Sequence, residues 1–113
     1  ACCNQELENL NIEWKKEKSI CIVLCSKGYP GKFKKNIEIK NINNVNLKKN
    51  EFIFHAGTYQ KNKKVYSNGG RVLNIVTLSS DLITARNKAI KIINNLKWKN
   101  GFYRKDIGWK IIK

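Results

Sequence analysis

Apolar residues along the chain fall into short runs separated by polar turns, a pattern that predicts several β-strands. Residues 19–26 are nearly all apolar, and a run of this length is typical of a strand buried on both faces. Apolar and other residues alternate over residues 51–59, which predicts a second strand. A short strand at residues 65–66 and a β-branched strand at residues 71–78 follow, and the Asn-Gly-Gly sequence at residues 68–70 is typical of a hairpin turn between them.

The remaining segments predict one long helix and smaller elements. Apolar residues recur three or four positions apart over residues 82–96, Asp81 is a favourable N-cap before them, and Gly101 is expected to end this helix. Residues 1–11 predict the tail of another helix, and the alternation at residues 37–39 predicts an edge strand. Together these elements predict an α+β fold, in which one long helix covers a small, mostly antiparallel sheet of four or five strands.

Lysine dominates the charged residues and gives the chain a formal net charge of +15. The sequence contains 20 Lys, 16 Asn and 15 Ile but only 3 Arg, and A/T-rich codons encode the three abundant residues. A biased genome would therefore produce this profile in any domain. The other explanation is a surface that binds polyanions, because clustered lysines neutralise phosphates. Scattered lysines and scarce arginines favour the compositional explanation, and a nucleic-acid-binding module is kept as the alternative function.

The cysteines do not form a zinc-binding pattern, which would require CxxC pairs or additional histidines. Cys21 and Cys25 share one strand face with Val23, and we expect both to be buried free thiols that act as small apolar side chains. No secretory leader or disulfide spacing is recognisable, which favours a reducing, cytoplasmic location. No apolar stretch is long enough to span a bilayer.

The chain contains no recognisable catalytic machinery of its own. It has no GxxxxGK[ST] phosphate loop and no GxGxxG dinucleotide motif. The single histidine, His55, has no neighbouring nucleophile in the sequence, so a structural role is favoured over a catalytic one. Catalytic and metal-binding residues are therefore predicted to be absent from this chain.

Two segments have the composition of binding elements. Residues 27–31 carry two glycines and the only proline, and their backbone N–H groups could bind an anion, although an ordinary connecting turn explains them equally well. Arg71 follows two glycines, and its guanidinium could bind a phosphate or carboxylate through two hydrogen bonds. The alternative for Arg71 is a hairpin turn followed by a structural salt bridge. Arg104 and Asp106 are predicted to form a structural ion pair.

Four blocks occur in a specific order at residues 26–31, 54–58, 67–73 and 102–108, with the long helix between the third and the fourth. Together they resemble the carboxy-terminal domain of the phosphoribosylamine–glycine ligase (glycinamide ribonucleotide synthetase) family. The resemblance covers residues 14–113. Residues 1–13 look like a helical stub and linker from the ATP-grasp domain that precedes this domain in the family.

The resemblance implies an ATP-dependent ligase of de novo purine biosynthesis. Enzymes of this family activate glycine as an acyl phosphate, which the amine of phosphoribosylamine then attacks to give glycinamide ribonucleotide. ATP and Mg²⁺ (or Mn²⁺) are expected to bind mainly to preceding domains, so this chain alone is expected to be inactive. Its expected partners are the small-molecule substrates and the rest of the full-length polypeptide, with no membrane, and nucleic acid is disfavoured as a partner.

Within the resemblance, this domain is expected to supply one wall of the substrate cleft. Arg71 is the best candidate to bind an anionic group, either the ribose phosphate or the acyl phosphate, and Lys27 is a second cation. The candidate substrate-binding residues are Lys27, Gly28, Tyr29, Pro30, Asn68, Gly69, Gly70 and Arg71.

Overall fold

A computed structural model describes residues 3–108 of the chain. Within that range it contains six strands, one α-helix and two 3-10 helices of three residues each, Leu7–Asn9 and Ile42–Asn44. In chain order the strands and the helix are β1 (Lys18–Ser26), β2 (Glu51–His55), β3 (Thr58–Lys61), β4 (Lys64–Ser67), β5 (Arg71–Ser79), α1 (Leu82–Leu96) and β6 (Gly101–Phe102).

Four of the strands form one antiparallel sheet in the order β2-β5-β1-β6. Strands β3 and β4 form a separate two-stranded hairpin. The predicted α+β fold, a small antiparallel sheet with one long helix, is confirmed. No helix among residues 3–108 is long and apolar enough to cross a membrane.

The core lies between α1 and one face of the sheet, the inner face. Strands β1 and β5 turn Ile22 and Ile75 toward the helix, and both are almost fully buried. Ala85 and Ala89 are fully buried on α1, and their small side chains let the helix approach the sheet closely. At this contact the Thr77 hydroxyl donates a hydrogen bond to the Ala85 carbonyl oxygen.

Local backbone and side-chain features determine where α1 begins and ends. Asp81 accepts a hydrogen bond of 2.8 Å from the Thr84 backbone N–H, as an N-cap does, and this bond holds the pKa of Asp81 below its ordinary value. The helix ends at Leu96, because Lys97 adopts the left-handed conformation with φ of 51°. The prediction that Gly101 ends the helix was wrong, since Gly101 instead begins β6.

The sheet face turned away from α1, the outer face, contradicts one prediction. Cys21 is exposed and Cys25 is half-buried on this face, whereas Ile22 and Leu24 are buried on the inner face. The expectation that β1 is buried on both faces was therefore wrong, and so was the expectation that both thiols are buried. An almost uniformly apolar strand cannot reveal by itself that only one of its faces is covered.

Three further predictions need correction within the described chain. Residues 3–17 contain only the 3-10 helix at Leu7–Asn9 and no α-helical tail. The strand predicted at residues 51–59 is interrupted at residues 56–57 and becomes β2 and β3. The edge strand predicted at residues 37–39 is reduced to one isolated bridge, between Glu38 and Tyr66.

Candidate functional site

Residues 68–71, the crossover segment, connect the β3–β4 hairpin to the main sheet. The predicted hairpin turn at this place was wrong, because β4 and β5 belong to different sheets and do not pair. The segment instead leaves the end of β4 and enters β5 at Arg71. It therefore lies where the two sheets of the domain meet.

Backbone hydrogen bonds hold the crossover segment on two sides. On one side, the Ser26 N–H donates to the Gly70 carbonyl oxygen at 2.7 Å, and the Ser26 hydroxyl donates to the Gly69 carbonyl oxygen at 2.9 Å. On the other side, the Gly57 N–H donates to the Arg71 carbonyl oxygen at 2.9 Å. Ser26 is fully buried, so these bonds are shielded from water and fix the position of the segment.

Two glycines are required here for close approach. A Cβ atom at Gly70 would lie 1.8 Å from Cδ2 of the Tyr29 ring, so the ring occupies the space that a side chain would need. A Cβ atom at Gly57 would lie 2.6 Å from the Arg71 carbonyl oxygen. The glycines therefore allow the turn after β1, the link between β2 and β3, and the crossover segment to converge on one point.

Arg71 stands at this point with its side chain exposed, opposite Cys25 of β1. Among residues 3–108 it forms no salt bridge and no side-chain hydrogen bond. The alternative that it serves a structural salt bridge is therefore not supported within that range. Burial raises the pKa of Cys25, and the positive charge of Arg71 partly opposes this increase.

The Arg71 side chain forms part of the wall of two neighbouring concavities. The larger, which we call the Arg71 cleft, has a volume of about 460 Å³. Its lining residues are Val23, Tyr29, Ala56, Gly57, Gly70, Arg71 and Asn74. The smaller has a volume of about 200 Å³, is mainly apolar, and shares Val23, Tyr29 and Arg71 with the first while adding Phe102 and Tyr103. The guanidinium is thus a cation on the border between a polar and an apolar surface.

The structure brings together some of the sequence-predicted site residues and separates others. Tyr29, Gly70 and Arg71 line the Arg71 cleft together. The other predicted residues lie beside the cleft in sequence but do not line it, and they are Lys27, Gly28, Pro30, Asn68 and Gly69.

The turn at residues 27–31 has already used two of its backbone donors. The Lys27 N–H donates to the Asn100 carbonyl oxygen at 2.9 Å, and the Tyr29 N–H donates to the Ser26 carbonyl oxygen at 3.1 Å. Gly28 has a φ of +96°, and a Cβ atom there would lie 2.0 Å from the Lys32 carbonyl oxygen. These contacts favour a connecting turn over an anion-binding nest, and they explain the glycine by conformation alone.

Sequence reasoning missed Val23, Ala56, Gly57 and Asn74 as cleft residues. Gly57 had a signal, because it belongs to the second of the four blocks. Asn74 also had one, since it is a polar side chain between Leu73 and Ile75 of β5. Ala56 belongs to the same block as Gly57, and its N–H donates to the Val72 carbonyl oxygen. Val23 carries no signal of its own, because only the sheet register brings it beside Arg71.

Two polar side chains have the structural roles predicted for them. His55 Nδ1 lies 2.9 Å from the Thr58 hydroxyl oxygen, within the link between β2 and β3. Arg104 donates two hydrogen bonds to Asp106, with N–O distances of 3.2 and 3.0 Å. This bond holds the pKa of Asp106 below its ordinary value. The predicted Arg104–Asp106 pair is confirmed.

Two other concavities lie away from the crossover segment. One, about 510 Å³, lies beside α1 and is bordered by Lys48, Lys88 and Lys91. Another, about 400 Å³, is bordered by Trp98 and Tyr103. Among residues 3–108 no three side chains of the types that bind metals come together, so this part of the chain offers no metal-ligand set. The Arg71 cleft is the candidate site because it collects residues from several separated segments.

Comparisons with known proteins identify the family of the chain. Residues 19–110 match the family described as "Phosphoribosylglycinamide synthetase, C domain". The chain is 41% identical over 102 residues to a phosphoribosylamine–glycine ligase of Caldanaerobacter subterraneus subsp. tengcongensis, an alignment that covers 90% of this chain and 24% of that protein. It is 35% identical over 115 residues to the chloroplastic phosphoribosylamine–glycine ligase of Arabidopsis thaliana, covering 100% of this chain and 22% of that protein.

A solved structure supports the same relationship. The crystal structure of a phosphoribosylamine–glycine ligase from Thermotoga maritima superimposes with a TM-score of 0.63 and 31% sequence identity, over 78% of this chain and 21% of that chain. The chain therefore spans about a quarter of the length of the curated relatives that it matches. Because the family match extends over most of the sequence, the chain belongs to the phosphoribosylglycinamide synthetase C-domain family.

Proposed function

We propose that this chain is the C-terminal domain of a longer phosphoribosylamine–glycine ligase. The complete polypeptide would join glycine to 5-phosphoribosylamine at the expense of ATP. The glycine carboxylate attacks the γ-phosphorus of ATP and releases ADP. The amine of phosphoribosylamine then attacks the carbonyl carbon of glycyl phosphate, which forms the amide and releases inorganic phosphate. The product, glycinamide ribonucleotide, is an intermediate of de novo purine biosynthesis.

One structural observation supports the proposal in addition to the family match. The four sequence blocks that carry the resemblance, far apart in the chain, converge around Arg71. Hydrogen bonds join the Ser26 block to Gly70 and the Gly57 block to Arg71. Pairing of Cys25 with Phe102 brings the last block beside them. A set of segments that meets at one exposed cation is what a shared substrate-binding wall requires.

Arg71 is proposed to bind an anionic group of the substrate, either the ribose phosphate or the acyl phosphate. Its guanidinium presents paired N–H donors that match the oxygens of such groups, and its own chain, as far as described, leaves those donors available. The Tyr29 ring and the Gly70 backbone would form the adjacent wall. The backbone at Asn68 and Gly69, and the turn from Lys27 to Pro30, would border the entrance, with the exposed Lys27 ammonium as a second cation.

ATP and Mg²⁺ (or Mn²⁺) are proposed to bind on the domains that precede this one. The described residues offer no metal-ligand cluster, so they do not fit a metal centre of their own. When bound, the nucleotide supplies the phosphoryl group that activates glycine. The residues of this chain would hold and orient the anionic end of the substrate beside it.

A cytoplasmic location is proposed on the basis of the thiols. Cys3, Cys21 and Cys25 are free, which suits a reducing compartment. The alternative function, a nucleic-acid-binding module, gains no support from the family match or from the relatives named above, which are ligases.

The test is an assay of the complete polypeptide with ATP, glycine and phosphoribosylamine. We expect ADP, phosphate and glycinamide ribonucleotide to form in equal amounts, each only when all three substrates are present. The same polypeptide lacking residues 19–113 is expected to lose product formation. Nucleic acid bound by the 113-residue chain at sub-micromolar Kd in physiological salt, together with no ligase activity, would overturn the proposal.

A further inference from the structure

The outer face of the sheet carries large apolar side chains that the described chain leaves open. Cross-strand pairing sets Phe52 opposite Val76 and Val76 opposite Cys21 in one row of side chains. A second row contains Phe54, Asn74 and Val23 in the same way. Partners in a row point to the same face of the sheet, so these side chains form one continuous surface.

The exposed fractions of the three phenylalanines on this face are unusually high for side chains of that size. Phe52 is 41% exposed, Phe54 is 53% exposed, and Phe102, beside Cys25, is 38% exposed. The Phe52 and Phe54 rings stack with a centroid separation of 5.9 Å, so they act as one apolar block. Exposed apolar patches of this kind mark interaction surfaces.

The strand positions of the outer face include no lysine, although the chain is rich in lysine. Their one charged residue is Arg71, which pairs with Cys25 and lies at the border of the face. The other positions are uncharged, and they are Ser19, Cys21, Val23, Cys25, Phe52, Phe54, Asn74, Val76, Leu78 and Phe102. The exposed β3–β4 hairpin, by contrast, carries Lys61, Lys63 and Lys64. A compositional bias that fills other surfaces with lysine has left this one apolar. Depletion of charge is typical of the buried centre of an interface.

We infer that the outer face is the surface on which the preceding domains of the same polypeptide pack, through a mainly apolar patch of their own. This inference rests on the proposed function, because it requires the longer ligase. The alignments leave about three quarters of the relatives' length outside the matched region, so there is ample chain to cover the face. A covalently joined domain is present at high effective concentration and therefore outcompetes a second copy of this chain.

The interface would also complete the Arg71 cleft. Val23 belongs both to the outer face and to the wall of that cleft, so the apolar surface runs directly up to Arg71. Packing of the preceding domains on this face would place Arg71 at the edge of the contact, where an anion can lie between the two parts. The interface would therefore be apolar and would directly border the Arg71 cleft.

Cys21 is a native reporter of this face. It is exposed within the described chain and lies in the same row as Phe52, with Val76 between them. The complete polypeptide is treated with iodoacetamide under native conditions and digested with trypsin. Alkylation of Cys21 in the peptide of residues 19–27 is then quantified by tandem mass spectrometry, separately from that of Cys25. An Asn87→Cys variant supplies an exposed thiol on α1 as the matched control, and Lys91→Cys a second one. Burial raises the pKa of Cys21, which lowers the fraction of reactive thiolate at a given pH. The alkylation rates of Cys21 and of the control thiols are therefore measured over a range of pH, and the rates of their thiolate forms are compared.

We expect Cys21 to react at least about tenfold more slowly than either control thiol, because reagent reaches a covered thiol only through local opening. Protection should not change on dilution, and Cys21 should react at the control rate in the 113-residue chain alone. Equal rates in the complete polypeptide would overturn the inference. Protection that disappears on dilution would assign the face to a second copy, and protection that persists in the 113-residue chain would assign it to residues 109–113; either result would also overturn it.

Ligase activity of the same preparation separates the two proposals. Activity with a freely reactive Cys21 would leave the function standing and remove the interface. Protection of Cys21 without activity would leave the interface standing and remove the function.

Discussion

The two faces of the main sheet are built from the same strands and yet have opposite surroundings. On the inner face, α1 covers Ile22 and Ile75 almost completely. On the outer face, Phe52 and Phe54 from the same sheet remain about half exposed. The difference shows that, within the described chain, the helix covers one face of the sheet only. The other face is free for contacts outside the described chain, and Arg71 lies on its border.

The largest expected effect is a difference in the free energy of unfolding between substitutions on the two faces. Ile75→Ala should lower the free energy of unfolding of the 113-residue chain by about 2–5 kcal/mol, because it leaves a cavity in the packed core. Phe54→Ala, on the adjacent strand but half exposed, should cost less than about 1 kcal/mol in the same chain. Urea denaturation followed by circular dichroism measures both. Equal losses would show that the outer face is part of the core.

A smaller loss of unfolding free energy is expected from a substitution in the crossover segment, next to Tyr29. Gly70→Ala would push a methyl group into the Tyr29 ring, and we expect a loss of about 1–3 kcal/mol in unfolding free energy. The double variant Gly70→Ala, Tyr29→Ala should recover part of that loss relative to the sum of the single changes, because the clash is gone. Strictly additive losses, measured by the same denaturation, would mean that Tyr29 is not what excludes a side chain at Gly70.

The smallest expected effect is on the pH dependence of stability, and it arises at the Asp81 N-cap of α1, the helix that covers the inner face. The pKa of Asp81 is lowered by its hydrogen bond from Thr84, so the bond stabilises the fold above the ordinary aspartate pKa of 3.8. That stabilisation is lost as the pH falls below 3.8 through the lowered pKa. Asp81→Asn keeps an N-cap acceptor but cannot titrate, so its melting temperature should fall less steeply with acid. Parallel pH profiles for the two proteins would contradict this.

Much of the fold follows from local patterns in the sequence. The β-branched run of β5 and the helical spacing of α1, with its Asp81 cap, gave elements that the structure confirms. The end of α1 was misplaced because Lys97 takes a left-handed backbone conformation, which a lysine does not signal in the sequence. The supposed hairpin at residues 68–70 failed for a similar reason, since a turn sequence does not say which strands it joins.

The candidate site was less accessible to sequence reasoning. Arg71 was found because an arginine is unusual in a chain of 20 Lys and 3 Arg. Val23 could not be found, because it reaches the cleft only through strand register. Lys27 was grouped with the site by sequence proximity, and it does not line the cleft. Its role as a second cation stays a prediction.

The most direct measurement is a comparison of two identical substitutions in the complete polypeptide. Arg71→Lys keeps the charge but removes the paired donors, whereas Arg86→Lys makes the same change on α1, away from the cleft. We predict that Arg71→Lys lowers kcat/KM by about 10- to 100-fold, the size of a lost charge-assisted hydrogen bond of about 1.5–3 kcal/mol, without loss of folding. Arg86→Lys should leave kcat/KM unchanged. Unchanged kinetics for Arg71→Lys would contradict the claim that this border of the outer face contacts the substrate.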